Sequence, residues 1–277
     1  MTKITAQEVN NLRKITGAGM MDCKKALVEA EGNVENAIEI LRKKGQKVAN
    51  KRADKEASEG IVIAKTAEGS KFGVVFKLSC ETDFVAKNQD FVDFANALMD
   101  TAIANKPATA AEFTALKLDG LTIEEKITEM IGKTGEKMAI EQYEILEAEH
   151  VAAYNHNGNK LACILGMNKE VADVEKIGHE IAMQVAAMAP VAVDENGISQ
   201  EVIDKELEIA KDLVRQEGKP EDMVDKIAQG KLNRFFKENT LLNQVFVRDG
   251  KKTVAQYLKE CDADLTVTAF YRVMLGE

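Results

Sequence analysis

An imperfect internal repeat constrains the fold of this chain more than any other feature. Residues 71–76 align with residues 160–165 at an offset of 89, and Pro107 aligns with Pro190 at an offset of 83. Each aligned run is short and apolar, as in a buried strand, and each proline ends a stretch with helical periodicity. The repeat predicts two related α+β subdomains, of which the first has six extra residues between its strand and its helix. A chance match of two hairpin–helix units is the alternative.

The chain before the repeat is predicted to form three short helices. Thr5 and Glu8 have the spacing of a capping box, and Gly17 is a natural terminator for the first helix. One apolar stripe of this helix consists of Val9, Leu12 and Ile15. Gly45 is expected to end the third helix, so the sequence predicts a three-helix domain over residues 1–45.

A basic segment follows these helices, with Lys or Arg at seven positions of residues 42–55. A charged, partly helical linker over residues 46–58 is one interpretation. A contact with nucleic acid is the other. The segment contains no interleaved aromatic residue, and the acidic residues Asp54, Glu56 and Glu59 lie at or beside its end, which favours the linker.

A helical hairpin is predicted inside the second subdomain, over about residues 199–237. Apolar residues from Ile203 to Val214 follow the 4-3-4 spacing of a coiled-coil seam, and Gly218 with Pro220 turns the chain into a second helix. Together these patterns predict an α+β protein in which the second of two related subdomains of antiparallel sheet and helices carries an inserted antiparallel coiled-coil hairpin. The predicted subdomains cover residues 59–142 and 143–277. The predicted strands cover residues 61–64, 72–79, 245–247 and 265–274.

Composition and motifs exclude several classes of protein. The net charge of −9 argues against broad nucleic-acid binding, and no apolar run approaches the roughly 18 residues of a membrane-spanning helix. The four cysteines lack metal-binding spacing, and the three histidines join no catalytic set. Gly132-Lys133-Thr134 resembles the end of a phosphate-binding loop, but Ile127 occupies the position of its first glycine.

From these exclusions we expect a cytoplasmic protein that is not an enzyme, uses no metal or cofactor, and acts on another protein. An enzyme whose site leaves no local signature is the alternative.

Two segments carry a resemblance to a known family. Residues 16–27 read Thr-Gly-Ala-Gly-Met-Met-Asp-Cys-Lys-Lys-Ala-Leu, and residues 82–88 read Thr-Asp-Phe-Val-Ala-Lys-Asn. Both resemble signatures of the elongation factor Ts family, in the same order and at the same separation. The resemblance continues through residues 181–187 and 199–235 and into the final strand.

The resemblance implies a guanine-nucleotide exchange factor. Such a factor binds elongation factor Tu, disrupts its Mg²⁺ and GDP site, and promotes GDP release during translation elongation without binding the nucleotide itself. It also implies that the N-terminal helices form a bundle similar to ubiquitin-associated (UBA) domains. The alternative is an RNA-binding translation accessory protein that uses residues 42–55.

The same resemblance implies the residues that contact elongation factor Tu. They are Thr82, Asp83, Phe84 and Val85 in the second signature, Arg13, Met20 and Met21 in the bundle, and Gln184. Phe84 and Asp83 would form a wedge near the magnesium of the partner. From the residues alone, Phe84 could instead be a core residue behind a helix cap at Thr82 or Asp83, and one of the two methionines could close the bundle core. Gln184 departs from the family, which commonly has His at this position, and Gln cannot carry a charge.

Overall fold

A computed structural model of the chain describes residues 4–277, which form eleven α-helices and eight β-strands. The helices are α1 (Ala6–Thr16), α2 (Met20–Glu29), α3 (Val34–Arg52), α4 (Asp83–Ala86), α5 (Gln89–Asn105), α6 (Ala110–Ala115), α7 (Ile123–Thr134), α8 (Val174–Met188), α9 (Gln200–Gln216), α10 (Glu221–Asn239) and α11 (Val254–Cys261). The strands are β1 (Glu59–Thr66), β2 (Phe72–Cys80), β3 (Lys117–Leu118), β4 (Leu121–Thr122), β5 (Met138–Glu147), β6 (His150–Asn155), β7 (Leu161–Met167) and β8 (Val267–Met274). This mixture of helices and antiparallel sheets confirms the predicted α+β class.

Three helices, α1 to α3, pack together at the N-terminus. The capping box of Thr5 and Glu8 is present, and Gly17 ends α1 in the left-handed conformation, as predicted. Their shared core contains Val9, Leu12, Cys23, Ala26, Leu27, Ala30 and Ala37. Ile15 was expected in this core but is largely exposed, so it belongs to the surface of the bundle. The first three residues of the predicted domain 1–45 lie outside the described residues.

The third helix is longer than the sequence predicted. Instead of ending at Gly45, α3 continues to Arg52 and packs along α7. Gly45 is buried at this contact, where a Cβ atom would lie 2.9 Å from the carbonyl oxygen of Thr128. This glycine therefore allows a close approach between two helices rather than ending one of them.

Two three-stranded antiparallel sheets follow, with the strand orders β1-β2-β5 and β6-β7-β8. Their facing sides share one apolar layer, to which β1 and β2 contribute Val62, Ala64 and Val75 and the second sheet contributes Val151, Ile164 and Val273. The other side of the first sheet packs on α5 and α7, and the other side of the second packs on α8 and α11. Since both central strands are covered on two sides, they are apolar along nearly their whole length.

Helices α9 and α10 form an antiparallel hairpin between α8 and α11. Ala210, Val214, Val224 and Ala228 are buried along the length of the hairpin. At its base, Leu232 and Phe236 pack in one cluster with Ala192 and Ile198.

The predicted strand at residues 245–247 is wrong. Val245 forms only a single bridge with Thr253, and the amide of Val247 donates to the side chain of Gln184. No helix within residues 4–277 is long and apolar enough to cross a membrane.

Candidate functional site

Phe84 lies in the single helical turn α4, directly after the end of β2. Its side chain is 84% exposed, whereas its neighbours Val85 and Ala86 pack against the core under the first sheet. The alternative that Phe84 is a core residue is therefore wrong. The other half of that alternative is right, because the Thr82 hydroxyl caps α4 and accepts from the amide of Val85 at 3.4 Å. A large aromatic side chain is thus held away from the core on an anchored backbone.

Asp83, beside Phe84, forms an ion pair at the surface. The ammonium of Lys87 donates to a carboxylate oxygen of Asp83 at 2.7 Å. This hydrogen bond and the positive charge of Lys87 hold the pKa of Asp83 below its ordinary value. Asp83 is therefore a stable anion next to the exposed ring, and Lys87 can be displaced by another cation or donor.

Met20 and Met21 form the first turn of α2 and are both exposed, at 58% and 62%. Neither closes the core of the bundle, so that alternative is wrong for both residues. Arg13 and Ile15 are also exposed, on the helix that leads into this turn. Methionine is flexible and polarisable, which suits an apolar surface that adapts to a partner.

Lys133, at the end of α7, lies near both of these regions. Its side chain lies so close to Gly17, just before Met20, that a Cβ atom there would be 3.3 Å away. Its ammonium donates to Asp90, in the first turn of α5, at 2.5 Å. This contact with Lys133 also lowers the pKa of Asp90. One side chain therefore links the loop that precedes α2 to the start of α5, the helix that follows α4.

Gln184 is fully buried in α8 and its amide is engaged on both sides. Its nitrogen donates to Gln244 Oε1 and to the Val245 carbonyl, each at 3.1 Å, and its oxygen accepts from the Val247 amide at 2.8 Å. This placement gives no support to a direct contact between Gln184 and a partner. Its position instead fixes the loop that presents Val245 and Val247 at the surface.

Sequence reasoning missed the residues that hold the base of α4. Glu136, in the segment that follows α7, accepts a hydrogen bond from the backbone amide of Thr82, in the segment before α4. In the other direction, Glu81, before α4, accepts from the backbone amide of Lys137. Arg52, at the end of α3, contacts both segments. The contacting residues lie far apart along the chain: Arg52 and Glu81 are separated by 29 positions, Thr82 and Glu136 by 54, and Arg52 and Gly135 by 83. No local spacing could therefore have indicated these contacts. Glu81 and Glu136 are close because β2 pairs with β5, and Arg52 reaches them because α3 packs along α7.

Neither a metal-binding cluster nor a phosphate-binding loop is found within residues 4–277. Residues 4–277 hold no group of three or more His, Cys, Asp or Glu arranged to bind a metal ion. Gly132, Lys133 and Thr134 lie in the last turn of α7, whereas a phosphate-binding loop precedes its helix. The rejection of that motif was therefore correct.

Comparison with known proteins agrees with the sequence signatures. The family model described as Elongation factor TS matches residues 81–277. Over 276 residues the chain is 54% identical to Elongation factor Ts of Christiangramia forsetii, with all of both chains covered. It is 50% identical to that of Amoebophilus asiaticus, covering 99% of each chain, and 49% identical to that of Flavobacterium psychrophilum, covering all of both. These matches span the two signatures, the sheets and the helical hairpin, and the chain belongs to the elongation factor Ts family.

Proposed function

We propose that this protein promotes GDP release from elongation factor Tu by inserting Phe84 into it, with Met20 and Met21 as a second contact. Elongation factor Ts is a guanine-nucleotide exchange factor of translation elongation. The observation that carries the residue assignment is the exposure of Phe84 on a backbone that is capped by Thr82 and packed on the core through Val85 and Ala86. We call residues 82–85 the wedge, and we call Arg13, Met20 and Met21 the bundle contact.

An exposed phenyl ring is costly in water and gains free energy when an apolar pocket covers it. Full burial of a Phe side chain is worth about 1.5–3 kcal/mol, which offsets part of the cost of separating two packed elements of a partner. Asp83 brings a negative charge and a competing acceptor close to the Mg²⁺ that holds the phosphates. Insertion of both side chains would weaken the site of the metal and of the nucleotide together.

Exchange by this route is a linkage effect and involves no covalent step. If the factor binds nucleotide-free Tu more tightly than GDP-bound Tu, then GDP and the factor weaken each other by the same ratio. The protein therefore needs neither a catalytic residue nor a cofactor nor a nucleotide site of its own.

The bundle contact gives the wedge a second point of attachment. The three N-terminal helices, which we propose to be UBA-like, present Met20 and Met21 from a rigid core. Since α3 packs along α7, the bundle is held on the core rather than carried on a free linker. Two linked contacts on one partner raise the effective concentration of each.

Three finer parts of the predicted organisation belong to the same proposal. The α9–α10 hairpin is a short coiled coil inserted in the second of two related subdomains. Of the predicted domain boundaries near residues 45, 58 and 142, we keep only the one near 58, because 45 lies inside α3 and 142 lies inside β5, which pairs with β2. The protein acts in the cytoplasm, where its partner works.

The structure gives the basic segment 42–55 an intramolecular role, which weakens the RNA-binding alternative. Arg42 pairs with Glu129 on α7 and Lys44 pairs with Asp22 on α2. Arg52 pairs with Glu81 before the wedge. These cations stabilise the arrangement of α3 on its neighbours. A steep dependence of RNA affinity on salt concentration would be needed to revive this alternative.

Release of a fluorescent GDP analogue from its complex with a cognate elongation factor Tu tests the proposed function. We expect catalytic amounts of the protein to accelerate release by orders of magnitude. The same assay with Phe84→Ala tests the wedge. If the unmutated protein gives no acceleration, the exchange function is wrong. If Phe84→Ala retains the full rate, only the assignment of the wedge is wrong.

A further inference from the structure

The wedge cannot hold its own shape. Helix α4 consists of four residues, none of them fully buried, and only Val85 and Ala86 pack partly against the core. One isolated helical turn is unstable in water, because nucleation fixes several backbone dihedrals for a single hydrogen bond. The conformation that exposes Phe84 must therefore be imposed by groups outside α4.

Two carboxylates impose it through reciprocal hydrogen bonds. Glu136 accepts from the backbone amide of Thr82 at 3.0 Å and from its hydroxyl at 2.6 Å. In the other direction, Glu81 accepts from the backbone amide of Lys137 at 2.6 Å. Hydrogen bonds to ionised acceptors are roughly twice as strong as those between neutral groups. They continue the pairing of β2 with β5 beyond its last residue pair, Cys80 with Met138.

Arg52 connects this arrangement to the N-terminal bundle. Its Nε donates to the carbonyl of Gly135 at 2.9 Å, and one terminal nitrogen lies 3.3 Å from the carboxylate of Glu81. A guanidinium makes both contacts at once because its donors lie in one rigid plane. Arg52 ends α3, the helix that also contributes to the bundle core.

We infer that Glu136, Glu81 and Arg52 are positioning residues for exchange, which hold the wedge in its inserting conformation and couple it to the bundle contact. We call these three residues the clasp. The inference rests on the proposed function of Phe84 and extends it to residues that need not touch the partner. If the wedge is already ordered before binding, its conformational entropy does not have to be lost during insertion. That loss would otherwise slow each exchange event.

The central experiment compares Glu136→Ala with Glu125→Ala in the GDP-release assay, over a range of factor concentrations. Glu125 is a matched control, because it accepts from the amide of Thr122 at 2.8 Å in a cap at the far end of α7. If the wedge is competent only about a tenth of the time without the clasp, the maximal exchange rate falls about tenfold. The concentration for half-maximal rate should change little, since the bundle contact is intact. Glu125→Ala should stay within about twofold, as expected for a surface change remote from the site.

Two conservative substitutions in the clasp extend the comparison of Glu136→Ala with Glu125→Ala. Glu136→Gln keeps one oxygen that can accept from Thr82, so it should recover part of the rate lost in Glu136→Ala. Arg52→Lys preserves the charge but cannot make both contacts, so it should also lower the maximal rate. If Glu136→Ala fails to fold, Glu136→Gln and Arg52→Lys carry the test alone.

A double variant separates this inference from the proposed function. With Phe84 already changed to Ala, Glu136→Ala should cause little further loss, because the positioned side chain is gone. An equal loss of exchange rate from Glu136→Ala in the unmutated and in the Phe84→Ala background would show that the proposed role of the clasp is wrong and would leave the assignment of the wedge unaffected. A full rate for Glu136→Ala beside a slow Phe84→Ala would do the same. A full rate for Phe84→Ala would overturn the wedge itself.

Thiol labelling gives a readout that does not depend on activity. The buried thiol of Cys80 donates to the carbonyl of Thr82 at 3.3 Å, directly under the clasp. Cys163 is an internal reference, because it is also buried but lies in the second sheet. We expect Glu136→Ala to speed maleimide labelling of Cys80 and to leave Cys163 protected. Equal protection of Cys80 in Glu136→Ala and in the unmutated protein would show that the clasp does not order this segment.

Discussion

Gly45 of α3 and Gly132 of α7 lie against each other where these helices cross. A Cβ atom on Gly132 would lie 3.0 Å from the Cα atom of Gly45. A Cβ atom on Gly45 would lie 2.9 Å from the carbonyl oxygen of Thr128. The obstacle is helix backbone in both cases, so a larger residue would require α3 to move away from α7. This contact sets how the bundle sits on the core.

Gly45→Ala should therefore destabilise the protein, although Gly to Ala within a helix is normally favourable. Overpacking of this kind costs about 1–3 kcal/mol. The matched control is Gly230, in the interior of α10, where a Cβ atom would meet nothing within 4 Å. Gly230→Ala should raise the free energy of unfolding by about 0.5–1 kcal/mol. Urea unfolding of both variants measures the difference, and a stabilised Gly45→Ala would show that α3 is free to shift.

The sequence predicted helices and strands well where local chemistry decides them. The capping box at Thr5 and the hairpin of β1 with β2 are present, because their partners lie within a few residues. It failed at Gly45, since a glycine that ends a helix and one that allows a close approach look alike along the chain. Only α7, which begins 78 residues later at Ile123, decides between the two.

The sequence predicted the exposed residues of the candidate site but not the residues that hold them in place. A specific signature marks Phe84, and the structure agrees that its side chain is on the surface. Glu136 carries no signature, because its role depends on strand pairing far from it in sequence. Gln184 is the opposite case. It lies in a segment that resembles the family, yet its side chain is buried and hydrogen-bonded within the fold.

Removal of most of the α9–α10 hairpin should leave a folded core. Residues 208–227 make up its outer part, whereas Leu232 and Phe236 at its base pack on Ala192 and Ile198. Replacement of 208–227 by a short Gly-Ser loop keeps that base cluster intact. We expect one cooperative urea transition with a smaller helical signal by circular dichroism. Loss of cooperativity would mean that the hairpin is integral to the second subdomain.

The cysteines should differ strongly in reactivity towards iodoacetamide at pH 8. Cys261 is the exposed thiol among the four and should be alkylated first. Burial raises the pKa of both Cys80 and Cys163 to about 12, so their reactive thiolate forms are scarce at this pH. Peptide mass mapping of the native protein should find these two unmodified until urea unfolds it. Rapid alkylation of Cys80 under native conditions would contradict a closed base beneath α4.

Asp83→Ala should slow exchange less than Phe84→Ala does. The carboxylate is at the surface, so salt screens its charge, and in the free protein it is already paired with Lys87. Its contribution should shrink further as salt concentration rises in the GDP-release assay. An Asp83→Ala protein that is slower than Phe84→Ala at every salt concentration would assign the dominant role to the carboxylate.

Phe84→Ala should reduce exchange strongly and leave the melting temperature nearly unchanged. The side chain is 84% exposed, so truncation removes surface contacts only, and such changes usually stay within about 0.5 kcal/mol. Phe91 is the matched contrast, since it lies 7 positions away and is fully buried. Phe91→Ala should cost about 3–5 kcal/mol of unfolding free energy. Calorimetry and the GDP-release assay on both variants separate the two roles. A Phe84→Ala protein destabilised as much as Phe91→Ala would show that the ring supports the fold, and its slow exchange would then say nothing about insertion.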